Sequence, residues 1–428
     1  MTRFITALSP LAVGLTLGAS AAGAQSLAQR VAAAGAGEVR MTYATRAGVC
    51  GDGGKTVAIG DMFTMYPSME SYGRWTSARC KPGAARVSVQ QGASGVESVR
   101  TRVGGSWESG TGHIVDLGIV SAPQAATFFL DLADRLDGNL ARNTLLAAAI
   151  ADSADINSRL LALAQRSSAP TETRRRAVSW LGELGDASFA KPLAALARTD
   201  SGEKKGVADA AVFALSRLPD GAGTPVLIDI AHNGSSEKLR EKAVFWLGQS
   251  DDVQARREVR TIAADASASA DLRARAVFSL GEGDAATAED YRFLRDLFGN
   301  VTSEKIRDQI LMVMSESDDS TNRSWLLTVA RDESAPIEAR KKAIFWAGQS
   351  DIPTAEIARF YDAVQDRTVK EHTIFVLSQR DDEAATSKLM SIATGNGDVS
   401  LRKKALFWLG QKDDPAVTKA ISDLVTRP

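Results

Sequence analysis

The chain has 428 residues, with 51 Lys and Arg against 52 Asp and Glu, a formal net charge of -1 and 44% hydrophobic residues. That balance excludes the basic excess by which nucleic-acid binders hold a phosphate backbone, so no nucleic-acid partner is expected. The length suits two domains or one elongated array.

Residues 1–24 read as a cleaved secretory signal. Arg3 precedes an apolar run that Pro10 interrupts, and Ala22-Gly23-Ala24 places an A-x-A pattern before Gln25. The run is short for a bilayer span, so the expectation is an exported chain, periplasmic or extracellular, with no stable membrane span after cleavage. Residues 25–37 contain SLAQRVAAAG, a short helix and linker.

Residues 38–118 change character. EVRMTYATR, GAARVSVQQ, GVESVRTRVGG and HIVDLGIV alternate apolar and polar residues between Gly-rich turns, which predicts short half-buried strands in a small β-rich domain. Cys50 and Cys80 are the only cysteines. An isolated pair in an oxidising compartment is expected to form a disulfide. Closing a loop of this size contributes about 3–4 kcal/mol in the chain-entropy model. A metal site would need further ligands, and the nearest His is His113.

The domain carries little that points to chemistry. Gly53-Gly54-Lys55-Thr56 resembles the end of a phosphate loop, but Val49 stands where that motif requires Gly. No G-x-S-x-G elbow is present. His113 and Asp116, three apart in HIVDLG, would face opposite sides of a strand. No catalytic residue, metal site or cofactor is expected.

From residue 119 to 428 the pattern is helical and repeats. Aligned on the fifth residue of LRKKALFWLG, the copies are anchored on Ala177, Ala211, Ala243, Ala276, Ile310, Ala343, Thr373 and Ala405, 30 to 34 residues apart, with a weaker copy anchored on Leu145. Such a period predicts an α-solenoid of about nine helix pairs. In the last copy Ser400 is expected to cap a helix starting at Leu401, and Asp414 to cap the next. Asp186, Asp220, Asp252, Asp284, Asp319, Asp351 and Asp382 occupy the same place as Asp414. On a helical wheel Leu401, Ala405, Trp408 and Leu409 form the core stripe. Arg174, Arg240, Arg273, Arg307, Arg340, Lys370 and Arg402 fill a basic column that could bridge to acceptors in the adjacent repeat.

One column is not demanded by stacking. Phe213, Phe245, Phe278, Phe345, Phe375 and Phe407 lie off the apolar stripe, with Met312 in the same place. Cations stand three residues earlier in Lys242, Arg275, Lys342 and Lys404, with His372 read as a surface replacement. Amides stand four later in Gln249, Gln349 and Gln411. Two readings follow: curvature buries these rings between repeats, or they form an exposed ladder that binds a partner.

LRKKALFWLGQKDD, with its anchor Ala, Leu-Gly and Asp, resembles the second helix of a HEAT repeat, in the short subtype found in bilin lyases. The resemblance covers about 70% of the chain. It implies a mainly α fold, a solenoid behind the disulfide-linked β-rich domain. It also implies a protein- or peptide-binding scaffold whose second helices usually line the concave side. The expected function is non-enzymatic binding of another protein or peptide in the cell envelope, with the Phe, Lys, Arg and Gln columns as the site. One alternative is a structural subunit that contacts its partner through the β-rich domain. The other is a bilin-lyase-like enzyme, which export disfavours.

Overall fold

A computed structural model describes residues 25–54, 56–59, 62–64, 80–199, 206–282 and 285–412. The expected signal 1–24, Lys55, Asp284 and Asp414 lie outside the described residues. The chain is mainly α and folds as two compact units, Met1–Ile156 and Asn157–Pro428.

Among the described residues of the first unit, α1 (Leu27–Ala33) precedes two four-stranded sheets. One contains β1 (Gly37–Tyr43), β6 (Ala85–Gly92), β7 (Gly95–Val103) and β8 (Ile114–Ile119) in the order β7-β6-β1-β8; these are the four alternating segments of the sequence. The other contains β2 (Val49–Gly51), β3 (Val57–Ile59), β4 (Met62–Thr64) and β5 (Lys81–Pro82) in the order β4-β3-β2-β5. Cys50 and Cys80 are bridged, with Cα atoms 5.2 Å apart, joining β2 to the residue before β5. Gly53, Gly54 and Thr56 lie between β2 and β3, and β3 rather than a helix follows them. The Gly54 and Thr56 amides point at the Asp52 carboxylate, 2.8 and 3.3 Å away.

Alternation decides which sheet face is covered. Val39, Met41 and Tyr43 of β1 pair in register with Val89, Val87 and Ala85 of β6, all buried. The helices α2 (Ala122–Ala133) and α3 (Gly138–Ala149) belong to this unit. The Tyr43 hydroxyl donates to the Ala147 carbonyl at 2.7 Å, which satisfies a fully buried phenol. On the opposite face Arg86 is also buried. It donates to the carbonyls of Gly104 and Gly53 at 2.7 and 2.9 Å and to that of Ser106, tying down the turn that brings Trp107 over Arg40 and Arg86.

The second unit is the repeat array. Its first helices are α4 (Asn157–Gln165), α6 (Ala190–Ala197), α8 (Thr224–Asn233), α10 (Val253–Ala264), α12 (Ala288–Asn300), α14 (Ser320–Arg331), α16 (Thr354–Ala363) and α18 (Glu383–Thr394). Its second helices are α5 (Thr171–Leu184), α7 (Val207–Arg217), α9 (Glu237–Gly248), α11 (Ala270–Gly281), α13 (Glu304–Glu316), α15 (Ile337–Gln349), α17 (Arg367–Ser378) and α19 (Val399–Leu409). All eight anchor residues in this unit are fully buried, including Thr373, whose hydroxyl donates to the Val369 carbonyl at 2.8 Å.

Several details of the repeat differ from the expectation. The core stripe of α9 is Leu239, Ala243, Val244 and Leu247; Trp408, expected on the equivalent stripe of α19, is only half-buried. α19 starts at Val399 under Asp398, whose carboxylate accepts from the Ser400 and Leu401 amides, so Ser400 is not its cap. Asp252, Asp319 and Asp382 cap the following first helices. Asp186 caps a one-turn helix, Asp220 takes a left-handed φ of 54° within a turn, and Pro353 stands at the cap place after Asp351.

The Arg column does not primarily bridge repeats. Arg174, Arg273, Arg340 and Arg402 donate through Nε to Ala164, Ala263, Ala330 and Ala393, in the last turn of the first helix of their own pair, at 2.9–3.3 Å. A cation there satisfies a free carbonyl at the negative end of a helix. Arg340 alone of these four also reaches the next repeat, 3.2 Å from Asp366.

Candidate interaction surface on the second helices

Consecutive second helices meet through two kinds of joint. Where a helix ends in Gly, the next presents a small or β-branched residue: Gly182 meets Ala214, Gly248 meets Ser279, Gly281 meets Val313 and Gly348 meets Val376. A Cβ on any of these glycines would lie closer to that neighbour than real side chains do. Where the helix carries Ser216, Ser315 or Ser378, the next presents Trp246, Trp346 or Trp408. Each of these serines turns its hydroxyl back to the carbonyl three residues earlier, at 2.6–2.7 Å.

The Phe column follows from this alternation. Phe213 meets Trp246 of the next repeat at a tilt of 55°, 4.8 Å between ring centres, and Phe245 meets the same indole edge-on at 5.0 Å. Phe375, Trp408 and Phe407 repeat the arrangement at 5.4 and 5.2 Å. Phe345 meets Trp346 edge-on at 5.3 Å, with Met312 at the place of the preceding ring. Phe278 lies between clusters, with the Arg275 guanidinium 5.4 Å from its ring centre. Phe213, Phe245, Phe278, Phe345 and Phe375 are half-buried, and Phe407 is 58% exposed. The rings are neither core residues nor a free ladder. They are shared aromatic clusters with one side in solvent.

The flanking cations are placed differently from the expectation. Lys242 pairs with Asp209, Lys342 with Asp308 at 3.1 Å, and Lys404 with Glu371, each a carboxylate one repeat upstream. These lysines knit repeats together, and their charge is matched. Asp308 also accepts from the Trp346 indole at 2.9 Å, fixing that ring. The signal for these pairs was in the sequence, as an acid two places before the anchor, 33 or 34 residues ahead of each Lys.

The amide row is mixed. Gln349 and Gln411 are exposed, whereas Gln249 is half-buried with a buried Nε2 that has no partner. In the same place one repeat on, Glu282 has a buried Oε2 without a partner. Burial pushes its carboxyl up, with help from Glu316 and against the pull of Arg275. His372 is not a simple surface residue. It lies half-buried, 5.6 Å from Phe375 between ring centres. Burial pushes its imidazole down, Lys341 adds to this, and Glu338 opposes.

Among the described residues, no three His, Cys, Asp or Glu side chains stand together as a metal site, and no helix is long and apolar enough to cross a membrane. What this face offers chemically is half-open aromatic surface with locally neutralised charge.

A family model described as HEAT repeats matches residues 156–248, the first pairs of the second unit. No curated protein matches the chain. Similar solved structures include human deoxyhypusine hydroxylase in complex with glycerol, at 16% identity over 56% of this chain and 91% of that one, TM-score 0.26. Lipovitellin is similar at 12% identity over 80% of this chain, TM-score 0.46, and the match spans 42% of lipovitellin's own length. The complex of CpcE and CpcF of phycocyanin lyase from Nostoc matches at 16% identity over 58% of this chain and 94% of that one, TM-score 0.27. With its stacked helix pairs, its buried anchor column and a HEAT-repeat model matching residues 156–248, the second unit is built of HEAT-like repeats.

Proposed function

We propose that this helical repeat scaffold is exported, is not an enzyme, and binds another protein or peptide along the face of its second helices. The observation that carries this reading is the set of Phe–Trp clusters. Rings occupy a place that the buried stripe does not include, and they remain half in solvent. Apolar and aromatic contact then supplies the affinity, since aromatic anchors dominate binding surfaces. The lysines, already paired with Asp209, Asp308 and Glu371, set the shape of the face rather than steer the partner. Export is supported by the Cys50–Cys80 bridge, because such bridges persist in oxidising compartments.

The test is affinity capture from the cell envelope with the wild-type chain and with Phe245→Ala, Phe345→Ala and Phe407→Ala combined. Loss of a captured partner by a variant that still unfolds cooperatively supports the reading; unchanged capture overturns it. A second reading, assembly through the first unit, is favoured by Ile119, which is 87% exposed at the end of edge strand β8. Capture that survives the three Phe changes but is lost on Ile119→Ser would select it.

A further inference from the structure

Away from the aromatic face, the second unit holds a cleft of about 410 Å³ where α16 and α17 meet α18 and α19. Tyr361 of α16 lies in its wall, almost entirely buried. The Lys370 ammonium lies 5.2 Å from the centre of that ring, and the Lys388 ammonium, from the next repeat, 5.3 Å. Arg367 and Arg402 complete four cations in the lining, against the carboxylates of Asp362 and Asp398.

Both carboxylates are already engaged. Asp362 takes Lys388 at 2.5 Å. Asp398 caps α19 and stands 3.9 Å from Arg367. Lys370 forms no ion pair among the described residues, and its ammonium faces the Tyr361 ring. A ring face attracts an ammonium by only about 0.5–1 kcal/mol at an exposed site and leaves its charge unneutralised. With Lys388 matched by Asp362 and Arg367 by Asp398, Lys370 and Arg402 leave a net positive cleft that two repeats build together. Multiply charged oxyanions suit such a site, because they accept several charge-assisted hydrogen bonds at once. The volume exceeds a bare oxyanion and falls in the range of small-molecule sites.

The geometry points to a binding site for a small molecule bearing a phosphate or sulfate group, held by Lys370 and Lys388 with Arg367 and Arg402 at the rim. It is independent of partner binding at the Phe–Trp clusters.

Calorimetric titration of the full chain with glucose 6-phosphate, at constant ionic strength, tests it. Sedimentation with phosphatidylglycerol vesicles tests a lipid headgroup as the source of the same group. Expected is saturable binding to one of the two probes, weakened tenfold or more by Lys370→Met and unaffected by Lys238→Met on α9. Lys370→Met keeps the aliphatic stem over Tyr361 and breaks no ion pair, so the variant is expected to melt as the wild type does. Saturation by neither probe, or equal affinity in the wild type and Lys370→Met, overturns the site.

Discussion

Phe213 and Trp246 belong to successive repeats yet lie 4.8 Å apart between ring centres, so the ring that looks off the core of one helix is packed against the next. Phe375 and Trp408 are related in the same way, 33 residues apart. A double-mutant cycle between Phe213→Ala and Trp246→Ala is predicted to give a coupling of about 0.5–1.5 kcal/mol, the range for an aromatic pair. Additive effects in urea unfolding would mean that the rings do not depend on one another.

The Gly joints predict a sharp contrast. At Gly281 an added Cβ would run into the Val313 side chain, whereas at Gly299 it would meet nothing within 4 Å. Gly281→Ala is expected to destabilise by about 1–3 kcal/mol through overpacking. Gly299→Ala, near the end of α12, is expected to be neutral or stabilising by up to about 1 kcal/mol. Chemical denaturation of both variants checks the order, and equal effects would contradict the joint.

Arg340 is 4% exposed and serves two acceptors, Ala330 at the end of α14 and Asp366 at the start of α17. Arg340→Met keeps much of the apolar stem but leaves the Ala330 carbonyl without this donor, at a predicted cost of about 1–3 kcal/mol. Arg340→Lys should recover little, because an ammonium lacks the planar fork that reaches both acceptors. Full recovery by Lys would show that only charge matters there.

His372 gives the pH dependence its sign. Its folded imidazole titrates below its ordinary value of 6.5, so the folded state binds fewer protons than the unfolded chain as pH falls past that value. Its stabilising contribution is complete above about pH 6.5 and is lost as pH falls through the lower folded value. Between pH 7.5 and 5.5 the wild type should lose melting temperature more steeply than His372→Gln. Parallel slopes would remove His372 from the account.

Legibility in the sequence followed the range of each interaction. The anchor Ala column and the alternating segments of β1, β6, β7 and β8 are local or periodic, and they were readable; the pairing of Cys50 with Cys80 was readable because the chain has no other cysteine. The roles of Trp408, Lys342 and Arg273 were not, because each depends on a partner outside its own helix. Trp408 is wedged beside Phe375 one repeat back, Lys342 is matched by Asp308, and Arg273 turns to the preceding helix. A single helical wheel has no place for those partners. A comparison of columns offset by one period does, and it would have shown that Trp follows Ser and never Gly along the second helices of this unit.

The most direct test of the aromatic face is site-specific photo-crosslinking in the envelope. A benzoylphenylalanine at Phe245 reports on that face, and one at Thr261, exposed on α10, reports on a first helix. The account predicts a discrete adduct from position 245 and none from position 261. An adduct from 261 with none from 245 would contradict it.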